Sequence, residues 1–185
     1  ITAEHFSRRY TRMELDLAVL LNTTHTLNDI LKFATETAME MAGVEVGGVY
    51  LVDPATRNLE LAWQTGLTDE ILKRVLLLKQ DTPQSKLVFA NKAVFKTYKQ
   101  LLDDEAIDSV DIPFKAVAVL PITNRGEVIG CMNLASYTLD IFNPLAQPTL
   151  ETIANRLGHN SAEARALASQ QEREENLNIL FDTSP

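Results

Sequence analysis

The stretch Lys115–Ser136, KAVAVLPITNRGEVIGCMNLAS, predicts two β-strands joined by a tight turn. Apolar residues dominate the first arm from Ala116 to Ile122 and the second arm from Val128 to Leu134. The polar segment Asn124–Gly126 separates the arms, and its glycine can adopt a positive φ at little energetic cost. We therefore expect an antiparallel β-hairpin over this stretch.

Length and composition are those of one globular domain with additional helix. The chain has 185 residues, of which 45% are hydrophobic, so it can bury a substantial core. No uninterrupted apolar run approaches the roughly 18 residues that cross a bilayer, so we expect no membrane contact. The N-terminus has neither the apolar region of a signal peptide nor an initiator methionine. We therefore expect the chain to be a piece of a longer protein.

The net charge and the single cysteine restrict the function further. A formal net charge of −8 argues against nucleic-acid binding, because nucleic acids are bound by basic surfaces. Cys131 has no second cysteine with which to form an internal disulfide, which fits a reducing compartment. We expect a cytoplasmic protein that has no nucleic-acid partner and no cysteine-based metal site.

The first third of the chain predicts two helices followed by a hairpin. Apolar residues spaced by three to four predict a helix over residues 1–22. A second helix should begin after a capping box at Thr26 and end at Gly43. Val46–Asp53 and Leu59–Thr65 predict paired strands, because turn-forming residues separate them. We expect the apolar stripe of the second helix to pack against this sheet.

The middle of the chain predicts short elements. Leu67–Leu78 and Thr82–Asn91 favour short helices, and Ala93–Tyr98 favours a short strand. Lys99–Pro113 predicts mixed loop and helix with an acidic cluster. We therefore expect several short segments between the two hairpins.

The end of the chain predicts one long helix. This helix should begin near Pro148 and continue to Leu180, with Gly158 as a tolerated interruption. A helix of that length extends beyond the core of a domain of this size. Its apolar residues follow only a loose spacing of three to four, which is a weak coiled-coil signal. We expect it either to remain solvated or to pair with another helix.

Three motifs connect these elements to a known family. The first motif is the hairpin GGVYLVDPATRNLELAWQTG, with an aromatic–aliphatic–aliphatic–Asp sequence at Tyr50–Asp53. The second is the last hairpin, PITNRGEVIGCMNL. The third is Phe142–Asn143, which precedes the final helix. Together they resemble GAF domains, which are small-molecule-sensing and signalling modules, over about Thr24–Ala164. The resemblance implies an α+β fold of the GAF-like, profilin/PAS-like kind. That fold has a central antiparallel sheet of five or six strands, helices on both faces and long terminal helices.

The resemblance also implies a division of the chain. Residues 1–23 would form an N-terminal signalling and dimerisation helix, 24–164 the GAF domain, and 165–185 a linker helix leading to a following domain. Glu175–Pro185, ENLNILFDTSP, resembles the opening of a PAS domain, which often follows GAF in sensor kinases. The implied parent is a sensor histidine kinase or a similar two-component signalling protein, with flanking PAS or kinase-type domains. The chain itself does not resemble a kinase catalytic domain.

Resemblance to cyclic-nucleotide-binding GAF domains implies where a small-molecule ligand would lie. The pocket would be enclosed between the sheet and the short helices that cover it. The implied pocket residues lie on both strands of the first hairpin, on the covering helix and on the short strand: Gly48, Tyr50, Trp63, Gln84, Ser85, Val88, Phe95 and Thr97. The alternative for the aromatic residues is a filled core. The sequence leaves the ligand and any cofactor unknown.

Other chemistries of GAF relatives have weaker support. Asn91–Lys92, Phe95 and Asp104–Glu105 resemble a cyclic-nucleotide signature, but their spacing departs from that of the family. Asp111–Pro113 resembles a chromophore-binding motif without its cysteine. Reduction of free methionine sulfoxide needs a nucleophilic and usually a resolving cysteine, whereas this chain has Cys131 alone.

Metal and haem chemistry are not expected from the histidines. His5, His25 and His159 lie in or near predicted helices outside the pocket segments. None has a partner at a ligand spacing such as i, i+4. We therefore expect no catalytic residue and no metal ligand.

The leading hypothesis is a non-enzymatic regulatory sensor domain that forms a homodimer through its terminal helices. A ligand in the pocket would shift the sheet against those helices and bias the geometry of the dimer. The alternative is a ligand-free module that only dimerises and relays changes between flanking domains. An enzyme is the third possibility, with Cys131 as its candidate nucleophile.

Overall fold

The computed structural model describes residues 2–22, 26–107 and 111–182. Within these ranges the chain forms six helices and six strands. The helices are α1 (Ala3–Asn22), α2 (Leu27–Ala42), α3 (Asp69–Val75), α4 (Pro83–Phe89), α5 (Tyr98–Glu105) and α6 (Gln147–Asp182). The strands are β1 (Val46–Val52), β2 (Leu59–Thr65), β3 (Leu77–Leu78), β4 (Val94–Thr97), β5 (Ala116–Asn124) and β6 (Glu127–Ser136).

All six strands join one sheet in the order β3-β2-β1-β6-β5-β4, and every neighbouring pair is antiparallel. The predicted α+β fold with an antiparallel sheet of five or six strands is confirmed. The prediction of a helix over Leu67–Leu78 was wrong at its end. Leu77 and Leu78 instead pair with Glu60 and Leu59 as the edge strand β3. Helical spacing alone did not indicate that β2 has a partner on its outer edge.

The turn between β5 and β6 explains the tightness of the last hairpin. Asn124 pairs with Glu127, so only Arg125 and Gly126 form the loop. Both loop residues have positive φ, 51° for the arginine and 83° for the glycine. Two central residues with positive φ match the twist of the flanking strands, and glycine adopts this conformation without a steric penalty.

One face of the sheet is covered by α2 and α6. The apolar stripe of α2 is buried there, as the sequence predicts, with Ile30, Leu31 and Ala34 at its centre. A capping box fixes the start of this helix, because the Thr26 side chain accepts from Asp29 N while the Asp29 side chain accepts from Thr26 N. The same core includes side chains of the first half of α6, of which Leu150, Ile153 and Leu157 are fully buried.

Gly158 brings α6 unusually close to the sheet. A Cβ atom at this position would lie 2.0 Å from the carbonyl oxygen of Thr123 on β5. The expectation that this glycine is merely tolerated was therefore wrong, because the helix packs directly against the strand backbone here. Pro148 lies in the first turn of α6, where a missing N–H leaves no hydrogen bond unmade.

The opposite face is covered by the short helices α3, α4 and α5. Each has seven or eight residues and is preceded by a threonine cap. The side chains of Thr68, Thr82 and Thr97 accept from backbone N–H groups in the first turns of the three helices. Because these helices are too short to be stable alone, their order depends on the caps and on packing against the sheet.

The two long helices extend the domain. α1 contacts it through buried Met13 and an ion pair of 3.1 Å between Arg9 and Glu40. The predicted length of α6 is confirmed, and residues 166–182 are all exposed. The predicted boundary between residues 23 and 24 and the end of the PAS-like segment, 183–185, lie outside the described residues. The division into three segments stays a prediction.

Candidate functional site

A cavity of about 200 Å³ lies between the sheet and the short helices α3, α4 and α5. Strands β1, β5 and β6 form its floor, and the helices form its cover. Its lining is mainly apolar and includes Val46, Leu61, Ile71, Leu87, Val88, Leu101, Phe114, Val117 and Val119. An apolar cavity with a few polar groups is the usual form of a small-molecule site.

Tyr50 on β1 is the aromatic residue on the cavity floor. Its phenol donates a hydrogen bond of 2.6 Å to the carbonyl oxygen of Val75 at the end of α3. Burial raises the pKa of Tyr50, so the phenol remains neutral. The hydroxyl of Tyr50 therefore links α3 to the sheet, and the Tyr50 side chain also lines the cavity.

Asn133 is the polar residue of the floor on β6. In the sheet it is opposite Gly48 on one side and Val119 on the other. Its Oδ1 atom is buried and accepts no hydrogen bond from the described residues. Since buried polar atoms are nearly always paired, this oxygen is the most unusual group of the cavity.

Two further polar side chains, Arg74 and Gln84, line the cavity from its helical cover. The guanidinium of Arg74 forms an ion pair of 3.2 Å with Glu70, and both side chains are substantially exposed. The positive charge is thus already balanced at the edge of the site. The floor beneath it is formed by neutral groups.

Half of the residues predicted from the sequence lie around this cavity. Gly48 and Tyr50 are on its floor, and Gln84 and Val88 face it from α4. Ligand binding by these four residues remains a prediction, but the structure does bring them together. Val88 is nearly fully buried, so the cover closes tightly over this part of the site.

Trp63 and Phe95 are placed on the other face of the sheet. A register shift between Val49 and Tyr50 pairs Trp63 with Val49, and both pack in the core beneath α2 and α6. Phe95 packs edge-to-face against Phe142 in the same core, with ring centroids 5.7 Å apart. The expectation that these two aromatic residues face the pocket was therefore wrong, because the strand register directs them to the opposite side.

Ser85 and Thr97 have structural partners instead of lining the cavity. Ser85 is fully buried, and its hydroxyl donates to the carbonyl oxygen of Lys79 at 2.7 Å. Thr97 is the N-cap of α5, where its side chain accepts from Gln100 N at 3.1 Å. Both hydroxyls form hydrogen bonds at the N-terminal ends of covering helices, and neither residue lines the cavity.

The polar floor and much of the cover were not predicted from the sequence. Asn133 is the single amide in the otherwise small or apolar run Gly130–Ala135 of β6. Strand alternation places it on the same face as Cys131 and Ala135, and this signal was available from the sequence. Leu101 came from a segment predicted only as mixed loop and helix, and Phe114 follows that segment, so their convergence on the cavity could not be foreseen.

Cys131 does not have the environment of a nucleophile. Its side chain is fully buried, and burial raises the pKa of the Cys131 thiol to about 12. The thiolate is the reactive form of cysteine, so this thiol is protonated and inert near neutral pH.

The acidic cluster and His159 form ion pairs with neighbouring side chains. Lys96 forms ion pairs of 3.1 Å with both Asp104 and Glu105, which ties β4 to α5. His159 lies on exposed α6 beside Glu163, and His25 is outside the described residues. The part of the chain that the structure describes contains no group of three or more side chains placed to hold a metal ion. None of its helices is both long and apolar enough to cross a membrane.

Comparison with known families gives one match. The family model described as GAF domain matches residues 24–160. No curated protein matches the sequence.

Solved structures of low sequence identity share the fold. The GAF domain of an Acinetobacter phosphoenolpyruvate-protein phosphotransferase has a TM-score of 0.71 at 19% identity, covering 90% of this chain and 97% of that one. Free methionine-R-sulfoxide reductase from Neisseria meningitidis, in complex with its substrate, has a TM-score of 0.69 at 18% identity, with coverage of 90% and 94%. The GAF domain of a sensor histidine kinase from Pseudomonas syringae pv. tomato has a TM-score of 0.65 at 14% identity, with coverage of 92% and 96%.

Proposed function

We propose that this chain, which belongs to the GAF domain family, is a regulatory sensor module that binds a small molecule between its sheet and its short helices. The observation that carries this proposal is the cavity of about 200 Å³ with a mainly apolar lining. A module that served only as a rigid spacer would gain stability by filling this space. We assign Gly48, Tyr50, Gln84 and Val88 to the ligand site, together with Asn133.

The cover of the cavity is suited to respond to a ligand. It consists of three helices of seven or eight residues, and one of them is tied to the floor by the hydrogen bond from Tyr50 to Val75. Short helices gain most of their stability from tertiary contacts. A ligand that fills the cavity therefore adds contacts that order the cover.

The sheet connects the cavity to α6. On β6, Asn133 faces the cavity, whereas its neighbours Met132 and Leu134 pack in the core beneath α2 and α6. On β5, Thr123 touches α6 directly at Gly158. A change on the cavity floor would therefore reach the long helix through two strands that both surfaces share. We propose that the ligand favours one position of α6 over another.

The exposed part of α6 would carry the response out of the domain through a homodimer. Residues 166–182 present large apolar side chains to solvent: Leu167, Leu177, Ile179, Leu180 and Phe181. Pairing with a second copy of this helix, together with α1, would remove that surface from water. We propose a cytoplasmic two-component protein as the parent, with PAS or kinase-type domains beside this module.

The alternative of a ligand-free relay module has less support. A pocket filled by Tyr50, Trp63 and Phe95 would favour it over sensing, but two of these three rings lie on the opposite face. An enzyme based on Cys131 also has little support, because its thiol is buried and protonated. The enzymatic relative from Neisseria therefore supports the shared fold and not a shared reaction.

Native mass spectrometry combined with a thermal-shift screen of metabolites tests the proposal. We expect a dimer, and we expect at least one compound that raises the melting temperature. The variant Val88→Phe, which places a larger side chain in the cavity, should lose that response, whereas the matched exposed variant Leu167→Phe on α6 should keep it. A response that persists in Val88→Phe, or a screen with no binder, would contradict the proposed sensor role.

A further inference from the structure

The amide of Asn133 lies where the cavity floor has the smallest side chains. Along β6 its neighbours on the same face are Cys131 and Ala135, and across the sheet it is opposite Gly48. Val119 is opposite Asn133 on the other side, so three of its four neighbours on this face are small. Asn133 is also the one amide among the described strand residues that line the cavity.

Asn133 Oδ1 needs a donor that the described residues do not provide. A buried acceptor without a partner is destabilising, because it has lost its hydrogen bonds to water. The terminal torsion of asparagine is broad, so a modest rotation of the carboxamide can turn Oδ1 toward the cavity. A ligand N–H or O–H group there would satisfy an acceptor that is otherwise unpaired.

The cavity favours a ligand without net charge. The Tyr50 phenol is neutral and already donates to Val75, and Arg74 at the edge is paired with Glu70. A cation on the floor would lose its hydration and find no carboxylate among the described lining residues, and an anion would have to draw Arg74 away from Glu70. Charged ligands are therefore disfavoured.

Volume limits the ligand to one or two rings. The cavity measures about 200 Å³. An apolar protein cavity of about 150 Å³ binds benzene, so this space accepts a bicyclic molecule of the size of indole.

We infer that the cavity binds a neutral, mainly apolar molecule of one or two rings that donates one hydrogen bond to Asn133 Oδ1. This inference rests on the proposed function, because it takes the cavity to be the sensor's ligand site. It adds the chemical class of the ligand and names Asn133 as the residue that determines specificity.

Indole and indene provide the test, since they share shape and size but only indole has an N–H group. Isothermal titration of the whole chain should show indole binding roughly tenfold more tightly than indene, the ratio expected for one neutral hydrogen bond. The variant Asn133→Leu, which keeps a similar volume without the acceptor, should bind both compounds equally. The variant Asn155→Leu on the exposed surface of α6 should keep the wild-type ratio.

A second measurement covers the case in which Asn133→Leu does not fold. In the NMR spectrum of the wild-type complex, the N–H proton of bound indole should lie downfield of its position in an apolar solvent, as expected for a proton donated to Oδ1. Equal binding of the two compounds by the wild-type chain would overturn the role of Asn133 while leaving the cavity as a ligand site. No binding of either compound, alongside binders from the thermal-shift screen, would overturn the ligand class alone. No binder of any kind would overturn both the inference and the proposed function.

Discussion

The two faces of the sheet are built differently. On the face covered by α2 and α6, large apolar side chains such as Leu120, Met132 and Leu150 are fully buried. On the other face, half-buried side chains such as Leu61 and Leu87 surround a cavity beneath three short helices. The long helices thus form a close-packed core, whereas the short ones enclose space.

Strand β6 shows the origin of the difference in a single segment. Its alternating residues place Met132 and Leu134 in the close-packed core and Cys131, Asn133 and Ala135 on the opposite face, where Asn133 and Ala135 line the cavity. Large side chains fill one face, and small or polar ones leave the other open. The stability of this domain therefore comes mainly from one face, which leaves the other free to hold a ligand.

The largest change in the free energy of unfolding should come from the close contact of α6 with the sheet. Replacing Gly158 with alanine should lower the free energy of unfolding by about 2–3 kcal/mol, because the new Cβ would lie 2.0 Å from Thr123 O. This loss has the opposite sign to the usual effect, because alanine in place of glycine inside a helix ordinarily raises stability by about 1 kcal/mol. Chemical denaturation measures the difference.

Gly48→Ala on the cavity floor is the matched control for Gly158→Ala. Its Cβ would lie no nearer than 3.3 Å to its surroundings, the closest atom being a methyl carbon of Leu61. We expect a change below about 1 kcal/mol. Equal destabilisation by the two substitutions would show that the two faces are packed alike.

An intermediate effect should appear at alkaline pH through Cys131 on the cavity face. Burial raises the pKa of its thiol from 9.0 to about 12 in the folded protein. Between these values the unfolded chain loses a proton that the folded chain keeps, so stability falls as pH rises. The slope should be about 1.4 kcal/mol per pH unit for one group. Burial raises the pKa of Tyr50 in the same direction, so tyrosine ionisation steepens the fall above pH 10.

Unfolding curves measured from pH 7 to pH 11 test this dependence. In Cys131→Ala the fall between pH 9 and pH 10 should largely disappear, leaving the tyrosine contribution at higher pH. An unchanged profile in this variant would mean that the thiol is accessible to water in the folded protein.

The smallest effect concerns the cap of a covering helix. Thr97→Ala should lower stability by about 1 kcal/mol, because Gln100 N loses its side-chain acceptor. Ligand affinity should remain unchanged, since Thr97 does not line the cavity. Thr97→Ser, which keeps the acceptor, should restore the stability. A loss of binding without a loss of stability would instead place this threonine in the ligand site.

Elements with local causes were predictable from the sequence. The Asn124–Gly126 turn, the Thr26 capping box and the apolar stripe of α2 each depend on residues close together in the chain. The cavity residues Gly48, Tyr50, Gln84 and Val88 were also anticipated, but through resemblance to GAF domains. The placements of Trp63 and Phe95 failed, because a register shift in β1 and the pairing of β4 decide which face a side chain occupies.

The antiparallel sheet, the helices that cover it and the long final helix were predictable from the sequence, because alternation and helical spacing are local signals. The packed molecule was needed to show that Gly158 must be small and that Asn133 Oδ1 has no hydrogen-bond partner among the described residues. Both facts arise from contacts between segments far apart in the chain. A close approach and an empty space are properties of the packed molecule, and no single stretch of sequence encodes them.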